Sequence, residues 1–396
     1  MVPAVDYRNG SGGLHLATVQ FVFTLGWTTY ALMLPALLEQ AGIAAIWLPV
    51  VLMIDQVIFA VMDILFGAMA DRMSALFQRF ARLMLALTTV SALAFMLLPL
   101  AAEVSAGVLG LLLLIWVVSA SVVRAPTLVL LAKRARAAQR PALVIWYSAG
   151  IGLAMALSPF LGLGLRGLDP VLPFSISALS LLLAVWVLLR AMGTESPAEE
   201  TDAPQPAPFA ACVPLLIALG VAGLGFQMHA FVNAAPLYQL HAAKESLPWL
   251  MPLLWVGFFA ALLGVGKLVA RFAAMPVAAG GMVLVAVGSY VAPHAGSLGG
   301  LVALQVFCGA GWALAFAGLM EQASAAGSRG AEGKVMGSFF AITALASFAR
   351  IAFVSHALPA GQGSQFILPV VLLLLAGGIA TVDAKKWSKI KTPRSR

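Results

Sequence analysis

The sequence predicts an all-α integral membrane protein: twelve transmembrane helices in two pseudo-symmetric six-helix bundles. Three observations predict it. Of 396 residues 62% are hydrophobic and only 10% charged, and the mean hydropathy is +1.00, so most of the surface cannot face water and a soluble enzyme is excluded. The apolar residues form long unbroken runs rather than the alternation of a transmembrane barrel. Finally, an acidic, proline-rich stretch divides the runs six and six.

At roughly 20 apolar residues per crossing, the first six helices are expected at Leu14 to Leu38, Ile43 to Ala70, Phe80 to Ala102, Ala106 to Ala132, Ala142 to Leu165 and Val171 to Leu189. The break carries Glu195, Glu199, Glu200 and Asp202 among Pro197, Pro204, Pro206 and Pro208. That composition cannot bury itself and reads as an extended linker. Six more helices follow at Phe209 to Pro236, Leu247 to Ala270, Met275 to Val291, Leu298 to Met320, Val335 to Val354 and Phe366 to Val382. The expected organisation is an N-terminal bundle at 1–192, a cytoplasmic linker at 193–208, a C-terminal bundle at 209–384 and a basic tail at 385–396. Pro35, Trp47 and Pro49 in the first half correspond to Pro236, Trp249 and Pro252 in the second, an internal echo typical of transporters with a site between two repeats.

The net charge of +8 is explained by topology rather than by nucleic acid. Arg72, Arg79 and Arg82, then Lys133, Arg134, Arg136 and Arg140, then the basic tail fall in alternate loops, whereas the intervening loops carry only Arg166 and Lys244 as basic residues. By the positive-inside rule both termini are expected in the cytoplasm, in a cell-membrane protein. No removable signal peptide is evident before Leu14. Cys212 and Cys308 give neither a disulfide framework nor metal-ligand spacing. No nucleotide-binding loop or nucleophile with a base is evident, so no cofactor and no enzyme activity are expected.

Gly67-Ala68-Met69-Ala70-Asp71-Arg72 closes the second helix. Glycine permits close helix packing, and an aspartate there can satisfy helix-terminal donors or a nearby arginine, a bond that can latch one conformation. This segment resembles the signature between helices two and three of the major facilitator superfamily, although the glycine and basic pair expected after Asp71-Arg72 are missing. In the second half Gly266-Lys267-Leu268-Val269-Ala270-Arg271 has Ala270 in the acid's place. Gly150, Gly152, Ser158-Pro159 and Gly162 match the glycine-proline pattern of proton-coupled antiporters in part, and Arg124 resembles a superfamily arginine associated with proton coupling. The resemblance implies a secondary transporter that works by alternating access, with helices one, four, seven and ten lining a central cavity.

Ionisable residues within spans are functional candidates by default. Asp55 is expected near the midplane, and Arg350 on helix eleven to the outer side; they read as a pair that closes a gate or as a permanent buried pair. Asp63 and Arg124 fall at similar depths and read as a structural salt bridge or as a proton acceptor with its modulator. Gln20, Phe23, Trp27 and Tyr30 form a stripe on helix one, Gln305, Cys308 and Trp312 one on helix ten, and Phe340, Thr343, Ser347 and Arg350 one on helix eleven. On helix seven His229 and Asn233 share a face, near Gln227. Each stripe suits either ordinary packing or a binding wall, and His229 either an interior hydrogen bond or a proton carrier.

The expected protein moves a small organic solute, amphiphilic or anionic, with Asp55, Asp63 and Arg124 in proton coupling or gating. Trp27, Tyr30, Gln227, His229, Asn233, Gln305, Trp312 and Arg350 are expected to touch substrate, and Gly67, Asp71 and Arg72 to form the latch. The partners expected are that solute, protons and the lipid bilayer, with the chain a monomer. The alternatives are an organic-anion uniporter or exchanger without proton coupling and, further off, a membrane enzyme or lipid-handling scaffold.

Overall fold

The computed structural model describes residues 11–72, 77–134, 140–192, 209–327, 331–357 and 364–391. The expected linker at 193–208 lies outside them, as do parts of the basic loops (73–76 and 135–139) and the end of the basic tail (392–396).

Among the described residues there is no strand. Twelve helical stretches are long and apolar enough to cross a membrane: α1 (Gly12–Gln40), α2 (Ala45–Arg72), α3 (Gln78–Val104), α4 (Ala106–Val129), α5 (Pro141–Gly164), α6 (Val171–Ala191), α7 (Phe209–Gln239), α8 (Lys244–Phe272), α9 (Ala274–His294), α10 (Leu298–Gly327), α11 (Glu332–Ser355) and α12 (Gln365–Ala384). In hydrocarbon only a helix satisfies its own backbone. Hydroxyl groups in the spans follow the same rule by donating back one turn: Thr88 to the Met84 carbonyl, Ser121 to Val117, and Ser158 to Ala154. Large apolar side chains cover the outside, Leu263 being 87% exposed and Leu183 59%, a surface suited to lipid and not to water.

The chain divides into two compact units, one within Met1–Gln205 and Gly327–Ala344, the other within Pro206–Ala326 and Leu345–Arg396. The dividing point falls inside α11, after Ala344.

In the first unit α1 packs on α5 and α6, and α3 on α4 and α6. Small residues set the distances: a Cβ on Gly150 would fall on the Ala17 carbonyl. The same holds for α2 and the start of α11, where a Cβ on Gly67 would strike the Gly333 carbonyl and one on Gly337 the Asp63 carbonyl. The core between the helices is aromatic, with Tyr30, Phe59, Phe95, Trp116 and Phe174 in one cluster.

In the second unit α12 packs on α7 and α9, and the backbones of α8 and α10 meet at Gly257 against Val306 and Gly309 against Leu254. Phe226 lies flat on Trp312, with centroids 4.1 Å apart and planes 3° apart. Between α8 and α9 the backbone passes through Ala273 at φ 67° and ψ 163°, a region that costs any residue but glycine.

Two spans depart from the continuous helices expected. In α4 a 3-10 turn at Ser121–Val123 leads into Arg124, whose φ of −77° and ψ of −95° are not helical, before the helix resumes at Ala125. In α7 the stretch Met228–Asn233 is a π-helix.

Candidate functional site

The candidate residues fall into a group in each unit. In the first, the packing of α1 on α2 carries the Tyr30 hydroxyl to Asp55, to which it donates at 2.7 Å from Oδ2. Both side chains are buried, so Asp55 is held inside the unit by a neutral donor. The Tyr30 hydroxyl is thus committed to the carboxylate. Trp27, half-buried, lies 5.2 Å from Tyr30, 5.3 Å from Phe59 and 6.0 Å from Trp116 between ring centroids. Trp116 is the residue the sequence reading passed over: it sits in a wholly apolar run and shows no polar signal.

Asp63 and Arg124 are brought together, with Arg124 Nη2 3.3 Å from Asp63 Oδ2. The approach is an ion pair without hydrogen-bond alignment, and among the described residues neither Asp63 oxygen, at 0% exposure, receives a hydrogen bond. The guanidinium also donates to the Phe340 carbonyl at 3.3 Å and lies 4.7 Å over the Phe59 ring.

At the end of α2, Asp71 takes two backbone N–H groups at the start of α11, Gly333 on Oδ1 at 2.7 Å and Lys334 on Oδ2 at 2.8 Å. These are among the orphan donors of a helix N-terminus, where the positive end of the dipole favours a carboxylate. The glycines at 67, 333 and 337 permit the approach. Arg72 is exposed.

In the second unit the α7 face carrying Gln227 meets Arg350 of α11. Arg350 Nε donates to Gln227 Oε1 at 3.0 Å, and the guanidinium lies 5.4 Å from the Phe231 ring centroid. Among the described residues no carboxylate lies within ion-pair distance of Arg350. Deeper in the unit His229 Nε2 and Gln305 Oε1 are 3.1 Å apart, and Asn233 Nδ2 donates to the Gln365 carbonyl at 2.9 Å. Asn233 Oδ1 and Gln305 Nε2 have no hydrogen-bond partner among the described residues. The π-turn sets these two directions, His229 toward α10 and Asn233 toward α12. Trp312 is packed on Phe226. Of the eight expected substrate contacts, Tyr30, His229, Asn233, Gln305 and Trp312 are therefore buried within their own units, while Trp27, Gln227 and Arg350 are only half-buried.

Among the described residues no three His, Cys, Asp or Glu side chains converge as metal ligands. Cys212 and Cys308 are buried free thiols.

The model of the Major Facilitator Superfamily matches residues 16–349, most of the chain. The chain belongs to this superfamily and is a membrane transporter rather than an enzyme. No curated protein matches the sequence. Among solved structures, the human organic anion transporter MFSD10 (TETRAN) is similar at TM-score 0.76 and 15% identity, over 95% of this chain and 100% of that one. A bacterial homologue of the iron transporter ferroportin, in an outward-facing state, is similar at TM-score 0.72 and 16% identity, over 96% and 99%. The Major Facilitator Superfamily transporter FucP, in its outward conformation, gives 0.68 and 16% over 94% and 98%. These likenesses are of fold.

Proposed function

We propose that the protein is a proton-coupled secondary transporter, in the cell membrane with both termini cytoplasmic, that moves a small amphiphilic organic anion by alternating access as a monomer. The observation that carries the substrate class is Arg350. Among the described residues no carboxylate lies beside this guanidinium, an arrangement that is costly in a spanning helix unless an anion visits it. Gln227 and Phe231 occupy Nε and one face, which leaves the Nη edge for a carboxylate-like group. The fold likeness to a human organic anion transporter accords with this charge class.

Coupling is assigned first to Asp55, with Tyr30 as the donor that follows its charge, and second to Asp63, with Arg124 as the group that sets its ionisation. Asp71, with Gly67 and Arg72, holds the start of α11 as a latch that releases during the cycle. The alternative is an organic-anion uniporter or exchanger; it is favoured by the Asp63–Arg124 pair lying wholly within one unit, where it has no need to break.

The test is uptake into proteoliposomes of labelled aromatic carboxylates against neutral analogues of the same size, with a pH-sensitive dye inside. Arg350→Gln and Arg350→Lys should each lower kcat/KM for the anions by about tenfold or more, lysine failing because it lacks the planar fork. Anion-driven dye response lost in Asp55→Asn supports coupling. Equal transport of anions and neutral analogues would overturn the substrate class; anion movement without proton movement would leave the exchanger.

A further inference from the structure

The break in α4 falls at the residue that carries the charge. Ser121–Val123 is a 3-10 turn, Arg124 has a ψ of −95°, and Pro126, two residues on, has no N–H to return to the preceding turn. A carbonyl released by such a break inside a membrane must find another donor. It finds one on α1. Gln20 Nε2 donates to the Val123 carbonyl at 3.1 Å and to Thr127 Oγ1 at 3.2 Å. Thr127 Oγ1 in turn lies 2.7 Å from the Val123 carbonyl and 3.0 Å from that of Arg124. Gln20 is 1% exposed and Thr127 0%, so no water competes for these bonds.

We propose that Gln20 is a positioning residue for Arg124. By satisfying the interrupted backbone it fixes the direction in which Arg124 leaves α4 and so holds the guanidinium on Asp63. It stands two turns from Trp27 on the same stripe of α1, so a movement of α1 on substrate binding pulls on the Val123 carbonyl and changes the distance between Arg124 and Asp63. The positioning stands on the hydrogen bonds alone; its consequence for transport rests on the coupling role assigned above to Asp63 and Arg124.

Gln20→Leu keeps the volume and removes the donor, and Thr127→Val does the same at the other end of the network. The first measurement is modification of Arg124 by phenylglyoxal in purified protein, read by mass spectrometry. Loosening should make it about threefold faster or more, as local opening exposes a held group. The second compares uphill accumulation with counterflow exchange in proteoliposomes. Accumulation should fall about tenfold, the scale on which misplacement of a working group is felt, while exchange stays within about twofold. In the Asp63→Asn background Gln20→Leu should add nothing, the non-additivity of groups that act as one.

An unchanged rate of Arg124 modification in both variants overturns the positioning. Faster modification with accumulation intact leaves the positioning standing and overturns the coupling role of Asp63 and Arg124. Equal losses of accumulation, exchange and thermal stability would reduce Gln20 to a packing residue and overturn the proposal. Should Gln20→Leu fail to fold, Thr127→Val and Gln20→Met carry the same readouts.

Discussion

Removal of the Asp71 carboxylate should free the start of α11 from α2 by a calculable amount. Asp71 receives two backbone N–H groups, from Gly333 at 2.7 Å and Lys334 at 2.8 Å. A hydrogen bond to a charged acceptor contributes about 1.5–3 kcal/mol, and loss of a helix cap typically about 1 kcal/mol. Asp71 is half-buried and Lys334 exposed, so the bond from Gly333 counts at about 1.5 kcal/mol and the solvent-exposed one from Lys334 at only about 0.5 kcal/mol, and Asp71→Ala should cost the docked arrangement about 2 kcal/mol, a factor of roughly 30 at about 1.4 kcal/mol per decade. Asp71→Asn keeps one acceptor oxygen without the charge and should cost about half, a factor of roughly 5. The assay is maleimide alkylation of a cysteine placed by Ser338→Cys, in a background of Cys212→Ala and Cys308→Ala. Ser338 is 8% exposed, so its rate reports how often α11 lifts from α2. Rates in the order Ala, Asn, Asp, separated by those factors, are expected. Identical rates for all three, or alanine and asparagine equal, would refute the assignment of the latch to these two hydrogen bonds.

Gly67→Leu should prevent close packing of α2 and α11, because its first carbon already meets the Gly333 carbonyl; overpacking of this kind costs about 1–3 kcal/mol, read as a lower melting temperature and a faster Ser338→Cys alkylation. Arg124→Gln alone leaves Asp63 buried without its cation and should destabilise by about 3–5 kcal/mol, whereas Arg124→Gln with Asp63→Asn should recover most of that loss; thermal melts of the three variants check it, and simple additivity would contradict it. Ala273→Gly should stabilise the protein by up to about 1 kcal/mol, since glycine takes the φ of 67° without strain.

The spans were legible because each is a long apolar run, and length and hydropathy are properties of a segment by itself. Both helix irregularities were hidden for the opposite reason. Pro126 stood in plain view, yet a proline permits either a gentle bend or a break, and its own residue type does not say which or at which neighbour. The π-turn of α7 contains no proline or glycine at all. Pairings that follow depth alone, such as Asp63 with Arg124, could be read from position along the spans. Partnerships that need the rotation of one helix against another could not: Tyr30, read as part of a stripe on α1, donates to Asp55, and Arg350 donates to Gln227. The carboxylate of the latch was visible as Asp71. Its donors were not, because the amides of Gly333 and Lys334 look like any others in a sequence.

The π-turn also makes α7 sensitive to chain length. One extra residue accommodated in Met228–Asn233 offsets the helix after it by about 100° from the helix before it, at about 3.6 residues per turn. Deletion of Ala230 would let an ordinary helix run through and turn the Ala234–Gln239 segment by that angle relative to Phe209–Gln227, carrying Asn233 away from the Gln365 carbonyl while Gln227, ahead of the turn, keeps Arg350. A deletion at this point acts as a rotation of half a span, and no point substitution in α7 reproduces it.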